Sequence, residues 1–164
     1  MLVSLARWED AEAAASKLLE TESDKERLAD AHCLLGKISK EGKKDLSAAR
    51  ASYEKALEMV PGHLRAMDHI GEILEAQGDW QGYVSTFEQF LKSLPPAAQD
   101  KALGIHLRLG QVWRDKLDDR EKAIVEFNNA VKINPDSAEA HAALAGLYLQ
   151  DKRYYPQAVR ENNL

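Results

Sequence analysis

Five histidines and one cysteine are the residues of this chain best suited to metal binding or nucleophilic catalysis. Helical zinc sites use histidines one turn apart, but His63 and His69 are six residues apart, and no third ligand stands at a suitable spacing. Cys33 is the only cysteine, and no neighbouring base is implied that would ionise its thiol. The sequence therefore predicts no metal site, no internal disulfide and no catalytic cysteine.

The other three histidines, His32, His106 and His141, each precede a small residue by four positions. This repetition favours a structural role for all three over metal binding or catalysis. The sequence contains no Gly-rich phosphate loop, no serine elbow and no HExxH motif. We therefore expect a protein that is not an enzyme and that needs no cofactor.

Composition narrows the classes of protein and of partner. Apolar residues make up 45% of the 164 residues without any run of about 18, so we expect a soluble protein, most simply cytoplasmic, with no membrane insertion. The formal net charge is −5, which disfavours a nucleic-acid partner because phosphate recognition needs an excess of Lys and Arg. RNA binding by helical repeats is kept only as a third hypothesis.

A pattern of aromatic, small and proline residues recurs along the chain. Its members are Tyr53, Phe87 and Phe127, then Ala56, Phe90 and Ala130 three residues later, then Pro61, Pro95 and Pro135 five residues further on. A large residue followed by a small one also recurs, at Leu35-Gly36, Ile70-Gly71, Leu109-Gly110 and Leu144-Ala145. A period of about 34 residues with apolar positions at helical spacing is typical of helical solenoids.

These residues, together with Leu74, Gly78 and Trp80, give the chain a sequence that resembles the tetratricopeptide repeat family. The resemblance implies an all-α, right-handed α-solenoid of antiparallel helix pairs, formed by one array over residues 1–164. We predict helices at 25–41, 46–59, 64–77, 80–93, 100–116, 120–133, 137–151 and from 154 onward. The predicted boundaries are a partial preceding repeat at 1–24 and repeats at 25–62, 63–97, 98–136 and 137–164, the last one truncated.

The small residues of the repeat have a physical role, because two helices approach closely only where one presents Gly or Ala to a bulky side chain of the other. Tyr83 and Phe90 occupy places where the family usually has alanine, so looser packing is expected there. The segment "PPAAQDKA" adds five residues, which lengthen either the loop or the next helix. Because both ends of the array resemble interrupted repeats, we expect a piece of a longer array that can self-associate end to end.

The resemblance places a partner-binding groove on the first helix of each repeat. Its predicted residues are Lys37, Lys40, Arg65, Asp68, Glu72, Glu75, Arg108, Gln111, Arg114 and Asp115, followed by Glu139, Ala142 and Gln150 in the last repeat. One subgroup of the family binds acidic chaperone tails through a set of Lys, Asn and Arg residues, of which only Arg108 is matched here. An acidic ligand segment near Lys37 and Lys40, or near Arg108 and Arg114, is still compatible with the sequence.

Function is then expected from surface recognition instead of chemistry. Our first hypothesis is a non-catalytic protein-protein interaction scaffold that binds a partner peptide or helix in its concave groove. The alternative is the regulatory or substrate-recruiting repeat region of a larger enzyme, such as a glycosyltransferase.

Overall fold

The computed structural model describes residues 2–95, 98–150 and 155–162, and the described residues form helices and turns without any strand. The α-helices are α1 (Leu2–Thr21), α2 (Lys25–Lys37), α3 (Leu46–Met59), α4 (Leu64–Gln77), α5 (Trp80–Ser93), α6 (Gln99–Asp115), α7 (Arg120–Ile133), α8 (Ala138–Leu149) and α9 (Tyr155–Asn162). The predicted helices begin and end within two residues of these bounds, apart from a change of helix type after Lys37. The predicted start at 154 lies outside the described residues.

The helices form two compact units, Met1–Asp79 with α1 to α4 and Trp80–Leu164 with α5 to α9. In the first unit α2 packs against α1 and α3, and α3 packs against α4. In the second unit each helix from α5 to α9 packs against the next. This is the arrangement of consecutive helical hairpins, while the repeat boundaries given above stay a prediction.

Short polar side chains begin four of the helices. Asp24, Asp45, Asp119 and Ser137 each accept a hydrogen bond from the backbone N–H three residues later. These bonds satisfy one of the backbone donors that the first turn of a helix leaves without a partner. His63 does the same for α4, where its Nδ1 accepts from the N–H of Ala66 at 3.2 Å.

Three turns between helices reverse the chain through a left-handed residue. Gly78 has φ 68° after α4, and Lys44 and Asp118 have φ 59° and 52° at the corresponding places after Gly42 and α6. An aspartate follows each of them. The glycine of the repeat pattern is therefore explained by backbone conformation, and the lysine and the aspartate accept a strained conformation to make the same turn.

Small residues allow the helices of a hairpin to approach. A β-carbon on Gly36 of α2 would lie 2.5 Å from the ring of Tyr53 in α3, and one on Gly110 of α6 would lie 2.7 Å from Phe127 in α7. Gly71 and Ala145, which hold the same place in the pattern, are also buried. The packing role predicted for Gly36 and Gly110 is confirmed, since no side chain larger than hydrogen fits against either aromatic ring.

The two residues that depart from the family pattern, Tyr83 and Phe90, are buried in the second unit. Tyr83 and Phe90 are 1% and 4% exposed, and Tyr83 stacks on Phe87 with ring centroids 4.2 Å apart. The looser packing expected from these residues is therefore not visible at their side chains. The five-residue insertion lengthens the helix that follows it, since α6 has 17 residues and α4 has 14.

A feature that the sequence did not predict follows α2. Residues Ile38–Gly42 form a π-helical turn, which the N–H of Lys43 closes by donating to the carbonyl of Ile38 at 3.1 Å. Trp8 of α1 lies over this turn, where a β-carbon on Gly42 would be 3.1 Å from the indole. Among the described helices, none has the length and apolar character needed to cross a lipid bilayer.

Candidate functional site

The predicted groove residues of the first unit lie on α2, its π-helical turn and α4, and we call this surface the unit 1 face. Two ion pairs cross it: Lys40 Nζ lies 2.5 Å from Glu72 Oε2, and Arg65 donates to Asp30 Oδ1 at 2.7 Å. Lys37 and Glu75 are exposed, and neither side chain has an ion-pair partner among the residues that the structure describes. Most of the charge on this face is therefore compensated within the face itself.

Two histidines join these ion pairs, which was not foreseen from their six-residue spacing. His69 Nδ1 is 3.1 Å from Glu72 Oε2, and His63 Nε2 is 3.3 Å from Asp30 Oδ1. The hydrogen bond from Lys40 is the first reason that the pKa of Glu72 is lowered, and the bond from His69 acts in the same direction. Each bridging carboxylate thus faces one permanent cation and one imidazole.

Cys33, His63 and Asp30 lie in the order of a catalytic triad, because Cys33 Sγ is 3.7 Å from His63 Nδ1. Burial raises the pKa of the Cys33 thiol to about 11, so the thiolate needed for attack does not form at neutral pH. The lone pair of Nδ1 is also occupied by the N–H of Ala66, which assigns the ring proton to Nε2. His63 is therefore a base beside Cys33 that the sequence did not indicate, but its ring caps the start of α4.

The predicted groove residues of the second unit lie on α6, with their continuation on α8, and we call this surface the unit 2 face. Arg114 binds Asp115 through two hydrogen bonds of 2.7 and 2.9 Å, and Gln111 donates to Glu139 at 2.9 Å. The hydrogen bond between Arg114 and Asp115 raises the pKa of Arg114 and lowers the pKa of Asp115. As on the unit 1 face, opposite charges are paired within the protein.

The arginines of the unit 2 face also cover aromatic rings of the hairpins. The guanidinium of Arg108 lies 5.5 Å from the ring centroid of Phe87, and that of Arg114 lies 5.9 Å from the ring centroid of Phe127. Cation–π contacts at such distances contribute to folding, at about 0.5–1 kcal/mol for exposed groups. Both arginines therefore have a structural role in addition to the binding role predicted from the sequence.

A groove of about 420 Å³ opens on the unit 2 face. Arg120 borders it and donates to the backbone carbonyl of Leu147 at 2.5 Å. A β-carbon on Gly146, which lines this groove, would meet nothing within 4 Å. The same holds for Gly104 of α6, which is exposed but does not line the groove, in contrast to the filled space beside Gly110. The remaining lining residues are Arg114, Asp115, Asp118, Ala142, Ala143, Leu147 and Gln150, with Gly146 among them.

The described residues contain no group of three or more His, Cys, Asp or Glu side chains placed to hold a metal ion. Each face offers paired charges, and the unit 2 face adds small side chains and exposed helical backbone at Gly104 and Gly146. Such a surface can contact another polypeptide through hydrogen bonds and close packing.

Comparison with known proteins identifies the repeats. Two family models described as tetratricopeptide repeat match residues 29–63 and 65–96. Among curated proteins, the chain is similar to anaphase-promoting complex subunit 7 of Arabidopsis thaliana, with 31% identity over 115 residues. That match covers 69% of this chain but 19% of the relative, so the chain spans about a fifth of the length of this curated protein.

Solved structures with the same fold come from several organisms. MamA from Desulfovibrio magneticus RS-1 has a TM-score of 0.57 at 20% identity, covering 95% of this chain and 82% of that one. The N-terminal domain of stress-induced protein-1 from C. elegans has a TM-score of 0.60 at 17% identity, covering 77% and 98%. Pseudomonas aeruginosa pilF has a TM-score of 0.58 at 19% identity, covering 97% and 71%.

These likenesses confirm the all-α solenoid fold expected from the sequence. Proteins built from tetratricopeptide repeats act in general as protein-interaction scaffolds and are generally non-catalytic. The recurring aromatic, small and proline positions, the glycines pressed against aromatic rings and the two matching repeat models lead to one assignment. Residues 29–63 and 65–96 are tetratricopeptide repeats.

Proposed function

We propose that the chain is a non-catalytic interaction module that binds a segment of a partner protein on the unit 2 face, with the unit 1 face as a second and separate binding surface. The observation that carries the proposal is the contrast between the glycines of α6. The space beside Gly110 is filled by the ring of Phe127, whereas Gly104 of the same helix faces open space, as does Gly146 of α8. A face left bare of side chains allows the backbone of a partner to approach closely.

The charges of the two faces define the kind of partner segment. Lys40 and Arg114 are neutralised by Glu72 and Asp115, so neither offers an unopposed cation to an acidic peptide. The exposed Lys37 is accompanied on the unit 1 face by the exposed anion Glu75. Exposed pairs of this type contribute little to affinity in water. We therefore propose a segment of mixed charge, bound through shape and hydrogen bonds, instead of the acidic segment that the sequence also allowed.

The curated relative supports a role inside a larger assembly, since its name describes a subunit of a complex. We propose that this chain likewise joins proteins together and does not act alone. No contact among the described residues favours the alternative, a recruiting region of a glycosyltransferase, and that alternative stays a hypothesis.

The experiment is a site-specific crosslinking comparison in the full-length protein. A photoreactive benzoylphenylalanine is placed at Ala142, which is exposed on the unit 2 face, or at Val125, which is 55% exposed on α7. We expect a defined crosslinked partner, identified by mass spectrometry, from position 142 and not from position 125.

The affinity of the identified partner then tests the face directly. Ala142→Trp fills the groove and is expected to weaken binding at least about tenfold, while Val125→Trp leaves it unchanged. Thermal melting of both variants reports whether each one is folded. Equal crosslinking from the two positions, or full affinity in a folded Ala142→Trp protein, would reject the unit 2 face as the binding site.

A further inference from the structure

Two histidine–glutamate pairs connect the first and second helices of consecutive hairpins in the second unit. His106 Nδ1 of α6 is 2.6 Å from Glu126 Oε2 of α7, and His141 Nδ1 of α8 contacts Glu161 Oε2 of α9. Both pairs have a sequence separation of 20 residues, and their side chains are between 10% and 16% exposed. The pairs are therefore equivalent positions of the repeat, and they can be compared directly.

The two imidazoles differ in what their second nitrogen faces. His141 Nε2 is 2.7 Å from the backbone carbonyl oxygen of Pro135, while its Nδ1 faces the carboxylate of Glu161. A carbonyl oxygen and an ionised carboxylate only accept hydrogen bonds, so both nitrogens of His141 must carry a proton. For His106 the structure describes a partner at Nδ1 only, and a neutral ring with its proton on Nδ1 satisfies that contact.

The surroundings of His141 favour the charged ring. Glu161 of α9 and Asp136 of the turn before α8 are the charged groups that act on it, and both are anions. The charged side chains in the body of α7 are engaged elsewhere, Glu126 with His106 and Lys132 with Asn129. Those at its start are also engaged, Arg120 with the carbonyl of Leu147 and Lys122 with Asp119, and Glu121 is exposed.

The same contacts set the direction of the titration. The hydrogen bond to the Pro135 carbonyl, followed by the one to Glu161, raises the pKa of His141 although burial opposes the shift. A histidine with a raised pKa in the folded state adds stability below its unfolded pKa of about 6.5, and this stability is lost as the pH rises through the folded value. Above that value one ring nitrogen has a lone pair directed at an oxygen atom.

Helix α9 carries Glu161, the carboxylate partner of His141. It has eight residues, which is too short for a helix to be stable in water without tertiary packing. It packs on α8, where Glu161 is held by His141. We propose that the proton on His141 is a latch for α9: the helix is docked on α8 while the imidazole is charged and is released when the imidazole becomes neutral.

The latch is tested by nuclear magnetic resonance over a range from about pH 5.5 to about pH 8.5, within which histidine changes its charge. The ring signals of His141 and His106 give their titration curves, and the backbone amides of α9 report docking. We expect the α9 amides to shift with the same midpoint as His141, above the ordinary value of about 6.5. Amides of α6 and α7 should follow neither curve.

Two variants separate a latch from a simple structural contact. Glu161→Gln should lower the midpoint of His141 and of the α9 amides together, whereas the matched variant Glu126→Gln should leave both unchanged. In His141→Gln the side chain cannot become charged, so α9 should be undocked at every pH while the signals of α6 and α7 stay those of the folded protein. The proposal is overturned if α9 remains docked when His141 is neutral, or if its amides titrate independently of His141.

Discussion

Gly110 and Phe127 form the contact that fixes the distance between α6 and α7, because a β-carbon on the glycine would lie 2.7 Å from the aromatic ring. Gly36 and Tyr53 make the same contact between α2 and α3, with a corresponding distance of 2.5 Å. Real β-carbons do not approach other atoms this closely, so the helices must separate to admit a methyl group. The recurring glycines are thus part of the packing of the hairpins.

The first prediction compares two glycines of one helix. Gly110→Ala should destabilise the protein by about 1–3 kcal/mol, the usual cost of overpacking. Gly104→Ala should stabilise it by up to about 1 kcal/mol, because its β-carbon meets nothing within 4 Å and alanine is the better helix former. Urea unfolding measures both, and shifts of the same sign in the two variants would contradict the packing assignment.

The second prediction concerns the hydroxyl of Tyr53, which is buried without a hydrogen-bond partner among the described residues. Phe87 and Phe127 hold the corresponding places in the other repeats, so the ring is required there and the hydroxyl is not. Tyr53→Phe removes an unsatisfied polar group and should stabilise the protein by up to about 1 kcal/mol. The stacking of this ring on His69, at 4.8 Å, is retained in the variant.

Tyr148→Phe is the matched control for this change. The Tyr148 hydroxyl accepts a hydrogen bond from Asn128 at 3.4 Å, and its removal should cost about 0.5–1.5 kcal/mol. Denaturant midpoints of the two variants should therefore move in opposite directions. A loss of stability in Tyr53→Phe as large as that in Tyr148→Phe would mean that the Tyr53 hydroxyl has a partner in solution.

The third prediction concerns the left-handed turn residues. Lys44 has φ 59°, a conformation that costs an L-residue about 1–2 kcal/mol and costs glycine little. Lys44→Gly should therefore stabilise the protein by about 0.5–1 kcal/mol, after the greater flexibility of the unfolded chain is subtracted. Gly78→Ala, at φ 68°, should have the opposite effect, and thermal melting that shows equal shifts for both variants would contradict the explanation.

The helices and their packing residues were predictable because they depend on local periodicity and on recurrence. The proline that follows α3, α5 and α7 and the glycine that faces an aromatic ring each appear more than once in the sequence. The family, the fold class and the helix bounds follow from such repeated features. The π-helical turn at Ile38–Gly42, which lies beside Trp8 of α1, does not, since it occurs once along the described residues.

The charge pattern of the candidate faces could not be read in the same way. The sequence places Lys40 and Arg114 at groove positions, but their neutralisation by Glu72 and Asp115 depends on side-chain rotamers. Lys40 and Glu72 are also 32 residues apart in the sequence, so their contact depends on how the helices pack. The His106–Glu126 and His141–Glu161 pairs carried a usable signal, a separation of 20 residues that occurs in two repeats. Which nitrogens carry protons became clear only from the second contact of His141.

The last prediction concerns His32, which holds the same helix position as His106 and His141 but has no described carboxylate partner. Burial is the first reason that its pKa is lowered, and the positive charge of Lys55 adds to the effect while Glu58 opposes it. A histidine with a lowered folded pKa contributes stability above its unfolded pKa of about 6.5, and this stability is lost as the pH falls through the folded value. Its pH dependence is therefore opposite in sign to that of His141.

The stability difference between the wild type and His32→Gln isolates this contribution, because all other titrating groups are common to both proteins. Between about pH 7.5 and about pH 5.5, the free energy of unfolding of the wild type should fall more steeply than that of the variant. His141→Gln should make the free energy of unfolding fall more steeply over the same range, because it removes a histidine whose protonated form stabilises the folded protein. Parallel pH profiles for the wild type and His32→Gln, measured by urea unfolding, would show that His32 is charged at no cost in the folded protein.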